Sequence, residues 1–279
     1  MPRAVRALRV VDGVPVLTEV VPAMAGAHHR TGGPVQLPGG GLAIVRYVAS
    51  ADRTSGYDGQ VVVQDAAGNA GTAVSMTGSG LTGMNVRRGM PMAGNSTTLF
   101  QWQLRNPGGS QPVLVTYRIA TGAVRLLEPA NSAESESTVQ GMHATEDRIV
   151  EWPGRSGDAC SAEILDTATG ERVATLLPSI AGCDRVTMAL SPDDRQVAML
   201  VTGTAGDGWT QRVVVVDAAT GVVRAEFPTP DLTAGTDPDR LVYGIAWQGA
   251  GRLVYARGLL GGAEPIVLSL RTGEKGSGS

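Results

Sequence analysis

Aromatic side chains are scarce in this 279-residue chain, which has 2 Phe, 4 Trp and 5 Tyr. A sugar-binding surface built on aromatic platforms therefore has little to draw on. Basic and acidic residues nearly balance, 23 against 26, and a formal net charge of -3 leaves no positive footprint for nucleic acid or an anionic membrane surface. Lysine is almost absent, with Lys275 the single example. The arginine excess reads as the usage of a GC-rich bacterial genome rather than as an anion site. Nowhere do 18 apolar residues run together, and the start, with Arg3, Arg6 and Arg9, lacks the apolar core of a signal peptide. The sequence thus predicts neither a membrane span nor a leader of its own. Two cysteines, Cys160 and Cys183, and three histidines, His28, His29 and His143, have no ligand spacing that would make a metal site. No metal and no cofactor is expected.

Also missing is any stretch of ten or more residues with apolar positions at helical spacing and a cap. Short runs rich in Val, Ile, Leu, Thr and Tyr stand in its place, so the chain reads as all-β. One class of hairpin turn recurs as Asp65–Gly68, Ala120–Gly122, Asp166–Gly170, Asp217–Gly221 and Arg271–Gly273, its glycines 54, 48, 51 and 52 residues apart. A second class of tight turn alternates with it: Pro38–Gly41, Ala93–Ser96, Thr145–Asp147, Pro192–Asp194 and Gly249–Gly251. Both supply the positive φ or Asx chemistry that hairpins need. Two hairpins in each repeat of about fifty residues make a four-stranded antiparallel sheet, and five such repeats are the signature of a β-propeller. Val61–Val63 and Val213–Val216 are continuous apolar runs, as expected of strands covered on both faces by neighbouring blades. A large β-sandwich, the competing all-β class, has no need of such a period.

The run Leu190-Ser-Pro-Asp-Asp-Arg-Gln-Val-Ala-Met199, followed by Arg212–Arg224, resembles the blade motif of TolB-like and WD40-like bacterial propellers. In that motif a Ser-Pro-Asp-Gly-type turn leads into a second strand, and an Asp-x-x-Thr-Gly turn joins the third strand to the fourth. Glu163–Ala174 repeats the second half, while Trp247–Tyr255 and His143–Val150 keep only the pattern. The resemblance implies the fold and says little of function.

With strands named A to D from the inside outward, the blades fall near residues 35–77, 90–127, 141–177, 187–227 and 244–274. Residues 1–275 read as one propeller domain and Gly276–Ser279 as a linker remnant. The last blade lacks a fourth strand, which Ala4–Val10 or Val14–Val21 is expected to supply by closing the ring. Five blades are expected, with a partial sixth as the alternative. The A–B and C–D turns should lie on one face and be short. The other face should carry the long connections Val21–Pro34, Ala49–Gly59, Gly78–Gly89, Arg105–Gln111, Glu128–Gln140, Pro153–Ala159, Thr202–Thr210, Pro228–Val242 and Arg257–Glu264, where binding residues concentrate. The candidate ligand-binding residues there are His29, Arg53, Tyr57, Arg87, Arg88, Trp209, Asp237 and Arg257, joined by His143 on an inner strand. Cys160 and Cys183 map to the same face of adjacent blades, so a disulfide is expected, and with it an oxidising compartment.

Catalytic signatures are thin. Propeller glycosidases need carboxylates converging on the axis, and no inner strand assigned here contains Asp or Glu. No Gly-x-Ser-x-Gly elbow is present. The expected function is a non-enzymatic module binding a protein, peptide or small ligand, the sensor or interaction ectodomain of a membrane-anchored bacterial protein, as in the ectodomains of some receptor kinases that the resemblance brings in. The alternatives are a lyase, cyclase or hydrolase working in the axial pocket, and a cytoplasmic scaffold.

Overall fold

The computed structural model describes residues 5–11, 14–21, 29–31, 35–37, 41–49, 57–65, 69–75, 84–85, 92–105, 112–127, 139, 141–152, 161–176, 185–205, 208–228, 244–249, 251–257 and 264–269. Every regular element among them is a β-strand, and the chain divides into two compact units, 1–136 and 137–279.

The first unit opens with a hairpin of β1 (Val5–Val11) and β2 (Val14–Val21). In its next sheet β3 (His29–Thr31) and β4 (Val35–Gln36) both pair with β5 (Leu42–Ala49), followed outward by β6 (Tyr57–Gln64) and β7 (Ala70–Ser75). The sheet after it has the same plan: β8 (Met84–Asn85) and β9 (Met92–Gly94) both pair with β10 (Thr98–Arg105), then come β11 (Pro112–Arg118) and β12 (Val124–Leu127). The second unit holds β13 (Gly141–Ala144), β14 (Arg148–Trp152), β15 (Ala162–Asp166) and β16 (Arg172–Leu176) in one four-stranded sheet. A second four-stranded sheet holds β17 (Arg185–Leu190), β18 (Gln196–Ala205), β19 (Gly208–Asp217) and β20 (Val223–Pro228). The last sheet has three strands among the described residues, β21 (Ile245–Trp247), β22 (Arg252–Arg257) and β23 (Glu264–Ser269). Among the described residues all pairings are antiparallel, and apart from β3–β5 and β8–β10 they join consecutive strands, so the fold is all-β and built of propeller blades.

The valine run of β19 shows why the blades stack. Val214 and Val216 pack with Val150 and Trp152 of β14 and Val186 and Met188 of β17. Val213 and Val215 point the other way, into a cluster with Ile245, Leu253 and Tyr255 of the last sheet. A strand covered on both faces has no polar side to show, which is why alternation is absent from its sequence. In the first unit, Val35, Leu37, Ala43 and Val61 meet Leu99, Val113, Val115 and Tyr117 in the same way.

The turn chemistry read from the sequence is present in three C–D turns. Gly122, Gly170 and Gly221 have φ of 68°, 75° and 70°, and their N–H groups donate to Arg118 O, Asp166 O and Asp217 O, each at 2.8 Å. Gly122 has a second reason to be glycine, since a Cβ there would lie 2.0 Å from the carbonyl oxygen of Ser75 in the neighbouring sheet.

Three assigned connections are corrected. Val21–Pro34 contains β3 and Gly78–Gly89 contains β8. β3 and β4 pair with the same strand β5, and β8 and β9 with the same strand β10. Thr202–Thr210 is not a long loop either, because β18 and β19 pair continuously to Ala205↔Gly208.

Candidate binding face

Hydrogen bonds between sheets fix which strand ends lie together in the second unit. The Leu190 N–H, at the end of β17, donates to His143 Nδ1 near the end of β13, at 3.1 Å. The Trp247 indole N–H, at the end of β21, donates to Ala189 O at 2.9 Å. The C-terminal ends of three successive inner strands are therefore neighbours, and so are the A–B turns that follow them. Within the two four-stranded sheets the C–D turn joins this end: Thr167 N–H donates to Asp147 O at 3.1 Å, and Ala218 N–H to Arg195 O at 2.8 Å. The B–C hairpin ends of all three sheets consequently share the opposite end.

At the turn end four aspartates are held by partners within the fold. Asp217 Oδ1 accepts the N–H groups of Ala219 and Thr220 and the Thr220 hydroxyl, while Oδ2 takes Arg224 at 2.6 Å. Arg224 and the Thr220 hydroxyl hold this carboxyl down at about 2. Asp166 repeats the arrangement with Ala168, Thr169 and Arg148. Partial burial would raise its carboxyl, but the N–H groups of Thr169 and Ala168, then the Thr169 hydroxyl and Arg148, outweigh that and lower it. Asp193 is lowered chiefly by the Ser191 hydroxyl, 2.6 Å away. Asp194 differs, adopting a left-handed φ of 59° and accepting the Thr145 hydroxyl from the neighbouring sheet. Burial raises its carboxyl above the usual range.

His143 belongs to this seam. Burial lowers its pKa from 6.5 to about 4, which keeps Nδ1 unprotonated to accept the Leu190 N–H. It is a structural acceptor between two blades.

The other sequence-chosen residues occupy strand ends. Tyr57 begins β6 opposite Ala49, at the B–C end of its sheet, and His29 begins β3 opposite Val48, one row away. Trp209 pairs with Thr204 near the tip of the β18–β19 hairpin, in a strand rather than in the expected loop. Arg257 ends β22 opposite Glu264. Trp209 and Arg257 thus lie at the B–C ends of adjacent sheets of one unit, and Tyr57 and His29 share a sheet in the other. Arg53, Arg87, Arg88, Asp237, Cys160 and Cys183 lie outside the described residues. Sequence reasoning missed the Thr145–Asp194 contact and the buried pair Thr202 and Gln211, joined at 3.4 Å within the valine-rich hairpin. The signal for the first was visible: Asp194 stands where the Ser-Pro-Asp-Gly turn carries its glycine.

Among the described residues, no group of three or more His, Cys, Asp or Glu is arranged to hold a metal ion. No helix among them is long and apolar enough to cross a membrane.

No family model matches the chain, and no curated protein matches it. Solved structures do. A protein of unknown function from Dyadobacter fermentans is similar at a TM-score of 0.56 and 12% identity, over 92% of this chain and 80% of that one. TolB from Acinetobacter baumannii is similar at a TM-score of 0.48 and 16% identity, over 86% of this chain and 52% of that one. The β-propeller domain of the Trilobed protease from Pyrococcus furiosus is similar at a TM-score of 0.45 and 10% identity, over 89% of this chain and 84% of that one. The chain spans about half the length of the TolB chain that it matches. At such identities the likeness concerns the fold alone.

Proposed function

We infer that this chain is a non-enzymatic binding module whose B–C hairpin ends engage a protein, peptide or small ligand. The observation that carries the reading is the placement of Trp209 and Arg257 at the B–C ends of adjacent sheets in the second unit. At the turn end Asp166, Asp193, Asp194, Asp217 and His143 are all occupied by partners within the fold. At the other end the hairpins terminate in Trp209 and Arg257, with Tyr57 at the corresponding end of a hairpin in the first unit. Residues that a rigid scaffold places at strand ends beside its loops are where recognition concentrates. In the second unit His143 Nδ1 is occupied as the acceptor of the Leu190 N–H, which favours a structural over a catalytic part for it.

The test is affinity capture from a cell-envelope extract, read by quantitative mass spectrometry. Wild type is compared with a Tyr57→Ala/Trp209→Ala/Arg257→Ala variant. Proteins enriched by wild type and lost by the triple variant support the reading; equal enrichment by both overturns it. We place the module outside the cytoplasm, as part of a membrane-anchored protein. A Cys160–Cys183 bridge would support that placement, and intact mass after alkylation with and without reduction tests for it. Two adducts appearing only after reduction are expected, whereas adducts without reduction point to the cytoplasm.

A further inference from the structure

One peptide group joins three sheets of the second unit. The Ala189–Leu190 peptide lies at the end of β17, the first strand of its sheet. Its N–H donates to His143 Nδ1 on β13, at 3.1 Å, and its carbonyl oxygen accepts the Trp247 indole N–H of β21, at 2.9 Å. Strand alternation explains why both contacts form. Ser191 N–H donates to Gln196 O and the β17–β18 register is unbroken, so Ala189 turns its N–H and C=O toward β18 while Leu190 turns its own away. The Leu190 N–H therefore needs an acceptor from another sheet, and the imidazole supplies it. The Ala189 oxygen, which serves the ladder, keeps a second lone pair for the indole.

The two contacts act on the same delocalised amide electrons. A donor at the carbonyl oxygen draws charge from the nitrogen and strengthens the N–H as a donor, and an acceptor at the N–H strengthens the oxygen as an acceptor. Ala189 and Leu190 are both buried, so water does little to damp the effect. Only one member of the chain titrates. The imidazole accepts while Nδ1 is bare, which puts the proton of the neutral ring on Nε2; a second proton turns Nδ1 into a donor facing a donor. The strands packed against β13 are β14 and β17. On β14, Glu151 stands opposite Met142, so it belongs to the other face of the sheet from His143, and Arg148 is held by Asp166. On β17, Arg185 occupies the far end from Leu190. Past the strand ends Asp194 is held by the Thr145 hydroxyl, with Asp147 and Asp193 near it.

We propose that the Ala189–Leu190 peptide is a relay, through which protonation of His143 at the seam between β13 and β17 loosens the Trp247 contact at the seam between β17 and β21. Protonation removes the acceptor of the Leu190 N–H, the peptide loses polarisation, and its oxygen becomes a weaker acceptor for the indole. Acid thus reaches two seams through one imidazole. The dependence is reciprocal, so the Trp247 contact makes His143 harder to protonate. The relay does not depend on which end of the blades engages a ligand.

The experiment follows the indole N–H signals of the full chain by proton–nitrogen NMR from pH 8 to pH 3, together with the His143 imidazole. The chain has 4 Trp, and Trp247→Phe identifies the signal by its loss. The expected result is one step in the Trp247 signal with the midpoint of the imidazole, about 4. That step should be absent from His143→Asn and remain in Asp194→Asn. A Trp247 signal that stays flat while the imidazole titrates overturns the proposal. So does a step that survives His143→Asn or disappears in Asp194→Asn, which assigns it to the carboxyl. Trp247→Phe should in turn raise the pH at which His143 titrates, and an unchanged midpoint overturns the coupling. If acid unfolds the chain before the imidazole titrates, a His143→Ala/Trp247→Phe cycle in urea at pH 7 decides. A double variant less destabilised than the sum of the single ones upholds the relay, and additive losses overturn it.

Discussion

Replacing His143 with Asn tests the seam between β13 and β17. Asn retains a side-chain acceptor for the Leu190 N–H, now 3.1 Å from Nδ1, but does not titrate. In the folded wild type the imidazole pKa is lowered by burial from 6.5 to about 4. The unfolded chain therefore binds a proton that the folded chain refuses between those values. Stability from this group is fully present above pH 6.5 and is lost as pH falls toward 4. At about 1.4 kcal/mol per tenfold the ceiling of that loss is about 3 kcal/mol, and less to the extent that the ring keeps some solvent contact. Urea unfolding of wild type and His143→Asn at intervals from pH 8 to pH 4 reads it as a difference. The raised carboxyl of Asp194 and the lowered ones of Asp166, Asp193 and Asp217 occur in both proteins and cancel. The gap between the two stabilities should be flat above neutrality and move in favour of His143→Asn below pH 6.5. A gap independent of pH, or an imidazole seen by NMR to titrate near its ordinary value, would refute the assignment of His143 as a neutral acceptor.

Gly122→Ala should destabilise by more than about 2 kcal/mol in the same assay, because the new Cβ meets the Ser75 carbonyl at a positive φ. Gly249→Ala should cost only about 1 kcal/mol, since its φ of 70° is similar but nothing lies within 4 Å; equal costs would contradict the close packing claimed at Gly122. Asp194→Gly relieves the left-handed φ but removes the Thr145 contact, so a Thr145→Val/Asp194→Gly cycle should show a coupling of about 1 kcal/mol. No coupling would mean that the two sheets are not joined there. Asp217→Ala should cost about 1 kcal/mol through its turn N–H groups, and Arg224→Ala, on an exposed pair, less than about 0.5 kcal/mol.

Particular residues show what the sequence made legible. Gly122, Gly170 and Gly221 announced the C–D turns, because a left-handed turn position strongly favours glycine. Val213–Val216 announced a strand buried on both faces, and its side chains do divide between two clusters. The short strands β3 and β8 were not legible. Gly32, Gly33 and Pro34 read as the end of a loop, and only the pairing of β3 with β5, beside that of β4, places a strand before them. Thr202–Thr210 was misread for a similar reason: its glycines and polar side chains carry no strand signal of their own, and the register is propagated from the valine run. The part of His143 was hidden because its partner is a backbone N–H on another blade, which leaves no trace in side-chain spacing.

The most direct measurement of the central claim is photo-crosslinking in the native cell envelope. A benzoyl-phenylalanine is placed singly at Tyr57, Trp209 or Arg257, and at the exposed turn positions Ala120, Ala168 or Ala219. Adducts to another molecule from the first set, with none from the second, are the predicted result. Adducts from the turn positions, with none from the hairpin ends, would contradict it.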